Sequence, residues 1–200
     1  MKQFTTITSF CLPIRTENID TDQIIPARFL KTTSREELGK FLFYNWRFDE
    51  KGRPKSNEFD GSNHRTRQIL IVGNNFGCGS SREHAAWALV DYGFKIIISS
   101  SFGDIFYNNS LKNGLLPVVL TPNELEELFT VIEKQSDILI TVDLDKQMVS
   151  IPDINKNYKF PIDAFRKTCL LKGVDELGYI ISFERQIKSF ESKHRSFITR

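Results

Sequence analysis

Cysteine is scarce in this 200-residue chain: three thiols, Cys11, Cys78 and Cys169, odd in number and widely spaced. They build no disulfide framework and no CxxC metal pair. That usage points to a reducing cytoplasm. It also argues against an iron–sulfur cluster held by this chain alone, because such clusters take several thiolates at close, patterned spacing. No metal site is therefore expected within the chain. Long hydrophobic runs are missing as well. None approaches the roughly 20 residues of a membrane span, and Thr5, Thr6, Thr8 and Ser9 break up any charged-then-apolar leader. Neither sign of charge dominates. The formal net charge is +2 and the two halves are close to balanced, which gives no clustered basic face for nucleic acid. The basic excess of the second half gathers at Arg185, Lys188, Lys193, Arg195 and Arg200. Residues 185–200 are expected to form a basic, mobile tail, a plainer reading than a partner-binding one.

What is present suits one domain over residues 1–200: 40% of the residues are hydrophobic, enough for a proper core. Phe4–Leu12 alternates enough to be a strand. Residues 31–63 form a long irregular insertion, polar and aromatic by turns, broken by Gly52, Pro54 and Gly61. Phe41, Phe43, Tyr44, Trp46 and Phe48 crowd it. They either pin the insertion to the body or meet a partner. The middle is clearer. Apolar runs at Ile69–Gly73, Lys95–Ser99 and Leu115–Leu120 alternate with helical patterns at Arg82–Tyr92, Gly103–Asn113 and Pro122–Glu133. That order predicts an α/β fold with a largely parallel sheet. A hairpin follows at Ile138–Val142 and Gln147–Ile151, then a short strand at Tyr158–Phe160. Helices at Asp163–Leu171 and Asp175–Phe190 close the chain.

The loop Asn75-Phe76-Gly77-Cys78-Gly79-Ser80-Ser81-Arg82-Glu83-His84 follows a strand and opens a helix. Backbone N–H groups and the helix dipole favour anions at such a place. Gly77 and Gly79 let the backbone turn and approach a ligand closely. Ser80 and Glu83 have capping-box spacing, and Arg82 carries a planar fork that fits a carboxylate. Two readings stand: an ordinary capped glycine loop, or a site for a small carboxylate. A nucleotide site is disfavoured, since neither G-x-x-x-x-G-K-[ST] nor G-x-G-x-x-G is present. His84 lacks a paired His or Cys and reads as structural. Asp20 and Asp22 read as caps more readily than as metal ligands. Cys78 could be reactive near a helix start, but no His or Asp is positioned by sequence to activate it.

Gly77-Cys78-Gly79-Ser80-Ser81-Arg82-Glu83-His84-Ala85 resembles the signature of the swivelling domain of the aconitase superfamily. Asn18-Ile19-Asp20-Thr21-Asp22-Gln23-Ile24-Ile25-Pro26 and the stretch Ser101–Pro117 resemble two further blocks of that domain, in the same order. The resemblance runs from about Phe4 to Gly178 and is strongest to the isopropylmalate dehydratase small-subunit family. It implies a layered β/β/α fold with a largely parallel central sheet and C-terminal helices. It also implies a hydro-lyase that isomerises 2-isopropylmalate to 3-isopropylmalate through 2-isopropylmaleate, a step of leucine biosynthesis. The partner implied is a large subunit carrying a 4Fe–4S cluster, and the ligand a small dicarboxylate.

Residue roles follow from the same resemblance. Ser80 takes the position of the family's catalytic base, a serine alkoxide. Ser81 and Arg82 take carboxylate-binding positions, and Gly77, Cys78 and Gly79 shape the loop. Phe29, Leu30 and Lys31 belong to the segment that helps set the substrate's side group in this family. The chain departs from tricarboxylate-specific members: around Cys11-Leu12-Pro13 no arginine stands at the position equivalent to theirs, although Arg15 is near. A less charged pocket suits a branched apolar substituent. Two alternatives remain at this stage. One is a sister subunit acting on methylmalate/citraconate or homoaconitate. The other is a non-catalytic carboxylate-binding module.

Overall fold

A computed structural model describes residues 2–31, 34–55, 59, 67–79, 82–135 and 137–193. Two four-stranded sheets organise it. The first is antiparallel, in the order β1 (Ile7–Ser9), β6 (Ile140–Asp143), β7 (Met148–Ile151) and β8 (Lys156–Lys159). The second is parallel, with β2 (Cys11–Ile14), β3 (Ile69–Val72), β4 (Ile96–Ser99) and β5 (Leu116–Val119) side by side in chain order. The continuous apolar runs of β3 and β4 follow from this placement. Both strands are central and every residue in them is buried, which a parallel sheet covered on both faces requires. Pro13 and Pro117 fall in the two edge strands, β2 and β5, where a missing N–H is tolerated.

The two faces of the parallel sheet feed two cores. Cys11, Ile69, Ile71, Ile96, Ile98, Leu116 and Val118 face the antiparallel sheet and helix α5 (Pro122–Lys134), meeting Ile140, Val142, Val149, Leu128 and Ile132. Leu12, Ile14, Leu70, Val72 and Ile97 face the other way, against helix α3 (Glu83–Tyr92) and the segment from Ile19 to Phe43. At roughly 1.5–3 kcal/mol for each large side chain fully buried, these two faces outweigh any single polar contact described below. The result is the layered β/β/α arrangement with a largely parallel central sheet.

The segment read as one strand, Phe4–Leu12, is two. Sheet membership changes at Phe10: β1 pairs with β6, and β2 pairs with β3. Ser9 marks the crossing, its hydroxyl donating to the Phe10 carbonyl and accepting the Gln68 N–H. The alternation runs through the break, so periodicity alone cannot reveal it.

Of residues 31–63, the described part contains a 3-10 turn at Leu38–Phe41 and the short helix α2 (Tyr44–Arg47), with α1 (Thr21–Ile24) preceding it. Phe43 is fully buried and stacks on Trp46 at 5.0 Å, while Phe41 stacks on Phe29 at 4.1 Å. The aromatics therefore act as the anchor of this segment. Residues 32–33, 56–58 and 60–63 of it lie outside the described residues. Helices α4 (Asp104–Lys112) and α6 (Ala164–Lys172) complete the body. The expected closing helix Asp175–Phe190 is divided into α7 (Glu176–Ile181) and α8 (Glu184–Lys193). Within the expected tail, residues 185–193 are thus helical and residues 194–200 lie outside the described residues. No helix among the described residues is long and apolar enough to cross a membrane.

Candidate active site

All three sequence blocks meet at the C-terminal edge of the parallel sheet, where β2, β3 and β4 run out. The ladder continues beyond the strands through backbone hydrogen bonds. The Asn18 N–H donates to the Asn74 carbonyl (2.8 Å), the Gly77 N–H to Ile19 (2.7 Å) and the Thr21 N–H to Cys78 (3.1 Å). On the other side, the Phe76 N–H donates to Ser101 (3.1 Å) and the Gly103 N–H to Phe76 (2.9 Å). Asp20 pairs with Cys78, and Phe76 with Phe102, as isolated parallel bridges. Asn18 and Asn75 both take positive φ, a conformation asparagine tolerates. The Asn75 Nδ2 donates to Asn18 Oδ1 at 2.8 Å. Beneath the loop, Phe76 is fully buried between Phe102 and Phe106.

Gly77 is fixed by space as well as by φ. It sits at φ +71, and an added Cβ would lie 2.2 Å from the Phe106 ring. Gly79 also has positive φ, +87, but its Cβ would meet only Asp20, at 3.6 Å. Gly77 is buried, Cys78 half-buried and Gly79 exposed, so the loop rises out of the core toward solvent. Ser80 and Ser81, the residues expected to serve as base and carboxylate ligand, lie outside the described residues.

Arg82 is the N-cap residue of α3, and no side-chain cap is seen there among the described residues. Ser80, the residue with capping-box spacing to Glu83, lies outside the described residues. The Glu83 Oε1 accepts from Asn113 Nδ2 at 2.9 Å and from Trp87 Nε1 at 3.3 Å. Asn113 closes α4, so this contact joins the start of one helix to the end of the other.

The Arg82 guanidinium is mostly sheltered, at 19% side-chain exposure, and donates from Nη1 to Asp22 Oδ1. The same carboxylate oxygen accepts the Ala27 N–H at 3.2 Å. Arg82 holds the Asp22 carboxyl below its ordinary range, chiefly through the hydrogen bond and further through its charge. Asp22 was expected only as a cap. The cap of α1 is Asp20, in a complete capping box with Gln23, while Asp22 orients the arginine. The two residues are 60 positions apart, and no local pattern reports such a pair.

Phe29 and Leu30 lie at the end of a 3-10 turn that starts at Ala27, next to the Asp22 contact. Phe29 also meets Tyr44 at 4.9 Å and carries the Arg28 guanidinium over its face at 4.7 Å. Leu30 is half-buried and Lys31 exposed. Arg15 points elsewhere: it donates to Glu126 (2.8 Å) and Glu133 on α5 and lies 4.7 Å over the Phe129 ring. The His84 ring packs tilted against Trp87, with centroids 4.6 Å apart.

The donor set of the chain does not suit an iron–sulfur cluster. Cys11 is buried at the start of β2, where burial pushes its thiol up to about 12. Cys169 is buried on α6 and its thiol is likewise raised by burial, and Cys78 sits apart in the loop. A thiol must ionise to ligate iron, and these three lie on separate elements.

Comparison with known proteins agrees with the geometry. The family described as the aconitase C-terminal domain matches residues 1–123. A 3-isopropylmalate dehydratase small subunit from Christiangramia forsetii is 48% identical over 98% of this chain and 95% of its own length. A namesake from Cytophaga hutchinsonii is 44% identical over 99% and 100%. The crystal structure of a 3-isopropylmalate dehydratase from Methanocaldococcus jannaschii superposes with a TM-score of 0.65 at 27% identity, covering 94% of this chain and 99% of that one. With relatives of this identity along nearly its whole length, the chain belongs to the aconitase C-terminal domain family, among the small subunits of 3-isopropylmalate dehydratase.

Proposed function

We propose that this chain is the small subunit of a cytoplasmic hydro-lyase that isomerises 2-isopropylmalate to 3-isopropylmalate through 2-isopropylmaleate, in leucine biosynthesis. In this assignment a large subunit completes the site and carries a 4Fe–4S cluster, which supplies a Lewis-acidic centre for the hydroxyl that leaves and returns. The observation that carries the proposal is the oriented arginine. Arg82 stands at the start of α3, held by Asp22 beside an exposed glycine, at the sheet edge where three chain segments are tied together.

The chemistry of this chain divides among a few residues. Arg82, with Ser81, binds a substrate carboxylate, and the fixed fork sets the plane of that group. Ser80, as alkoxide, takes the proton from the carbon next to the one that loses hydroxyl. The proton returns to the other carbon after the double bond has formed, and hydroxyl adds at the first. A serine alkoxide is too unstable in water near neutral pH. Backbone N–H groups at a helix start and a neighbouring guanidinium stabilise it in a site that excludes water. Phe29, Leu30 and Lys31 line the side-group end. The engagement of Arg15 with Glu126 and Glu133 on α5 supports an apolar branch rather than a third carboxylate at that position.

The test is reconstitution. The purified chain should be colourless and inactive, and activity should appear on mixing with an iron–sulfur large subunit, followed by ultraviolet absorbance of the unsaturated intermediate. Turnover by the isolated chain would refute the two-subunit assignment.

A further inference from the structure

Beside the residues that lead into β3, β4 and β5 lies a cavity of about 410 Å³. It is bounded by the segment before β1 and by the residues that lead into β3, β4 and β5, among them Gln68, Lys95 and Gly114. Its walls divide by chemistry. Phe4, Ile7 and Val90 supply an apolar side, Lys2, Arg35 and Lys95 supply cations, and Gln3, Gln68 and Asn113 supply amides. No acidic residue lines it among the described residues. Glu83 lies behind the wall, against the lining residue Asn113. It is already engaged by Asn113 and Trp87 and stands 4.0 Å from Arg35.

Lys95 is the informative residue. It precedes β4 and is half-buried, and no acidic partner accompanies it among the described residues. Burial first, and the charge of Lys2 second, lower its pKa from the ordinary lysine value. Proteins seldom leave a sheltered ammonium beside a second cation without a counter-charge, because desolvation and like-charge repulsion both oppose ionisation. An anion between the two lysines relieves both terms. The apolar wall adds a requirement that inorganic ions do not meet, and the volume lies within the usual range for small-molecule pockets.

We infer that this cavity binds a short aliphatic carboxylate, its charge between Lys2 and Lys95 and its hydrocarbon branch on Phe4, Ile7 and Val90. Neither Arg82 nor the glycine loop lines the cavity, and the inference stands or falls independently of the catalytic assignment.

Calorimetric titration of the isolated full-length chain with 3-methylbutanoate tests it. Saturable one-site binding is expected, with at least tenfold weakening in Lys95→Gln and a smaller loss in Lys2→Gln. Arg82→Lys should bind as the parent does, which separates this cavity from the catalytic loop. The uncharged 3-methylbutan-1-ol and inorganic phosphate should both bind at least tenfold more weakly. Absence of saturable binding, equal affinity in Lys95→Gln, loss of binding in Arg82→Lys, or phosphate binding as tightly as 3-methylbutanoate would each overturn the inference.

Discussion

Arg82 and Asp22 define what single residues contribute. The guanidinium is oriented before any substrate arrives, because the Asp22 carboxylate grips one edge of the fork. Arg82→Lys keeps the charge and loses the fork. KM should rise about tenfold or more, since a charge-assisted hydrogen bond is worth roughly 1.5–3 kcal/mol and about 1.4 kcal/mol is tenfold. Steady-state kinetics of the reconstituted enzyme measure it. Asp22→Asn should move KM in the same direction while barely changing the melting temperature, because a pair with one half-exposed partner contributes little to stability. The pH dependence has a definite sign. The carboxyl of Asp22 is depressed in the folded chain, so its contribution is complete above its unfolded value near ~3.9. It is lost only as pH falls through the lower folded value. Near neutral pH the KM profile should therefore owe nothing to Asp22. The arginine was legible in the sequence as a fork at a helix start. Its orienting partner was not, because 60 residues separate the two and Asp22 sits where a cap is the ordinary expectation.

The loop and the turn beside it make separate predictions as elements. Gly77→Ala and Gly79→Ala both place a Cβ at positive φ, at a cost of about 1–2 kcal/mol. Only Gly77 also meets a ring, at 2.2 Å from Phe106. Gly77→Ala should therefore lower the denaturation midpoint clearly more than Gly79→Ala, as urea titration of the two variants will show. Equal effects would mean that the Phe106 contact does not constrain the loop. The Ala27–Phe29 turn and Leu30 bear on selectivity. Leu30→Arg should weaken turnover of 2-isopropylmalate by setting a charge against its apolar branch. Competing substrates with smaller alkyl groups should differ from it only modestly, at ~1–3 kcal/mol per methylene. An unchanged substrate profile in Leu30→Arg would remove this segment from the pocket. Elements with a clear period were read correctly: α3, α4, α5 and the three buried strands lie within a residue or two of their expected bounds. The failures have physical causes. Alternation continues through Phe10 while the chain changes sheets, and the Glu83–Asn113 contact between helices joins residues 30 positions apart, which no local spacing reports.

For the molecule as a whole, the parallel sheet is a platform with the two cores as its supports, and the oriented arginine stands at its C-terminal edge. In the proposed function this edge grips the substrate and a partner completes the chemistry. That proposed division rests in the sequence on three thiols too scattered for a cluster and on a loop that resembles a catalytic one. The sharpest claim is that Ser80 is the base rather than a cap. Replacing it with alanine in the reconstituted enzyme, with kcat and melting temperature read side by side, tests that claim directly. A catalytic Ser80 predicts a fall in kcat of ~10²–10⁴, the usual share of proton transfer, with KM and melting temperature nearly unchanged. Near-normal kcat with a melting temperature lowered by the ~0.5–2 kcal/mol of a lost cap would contradict it.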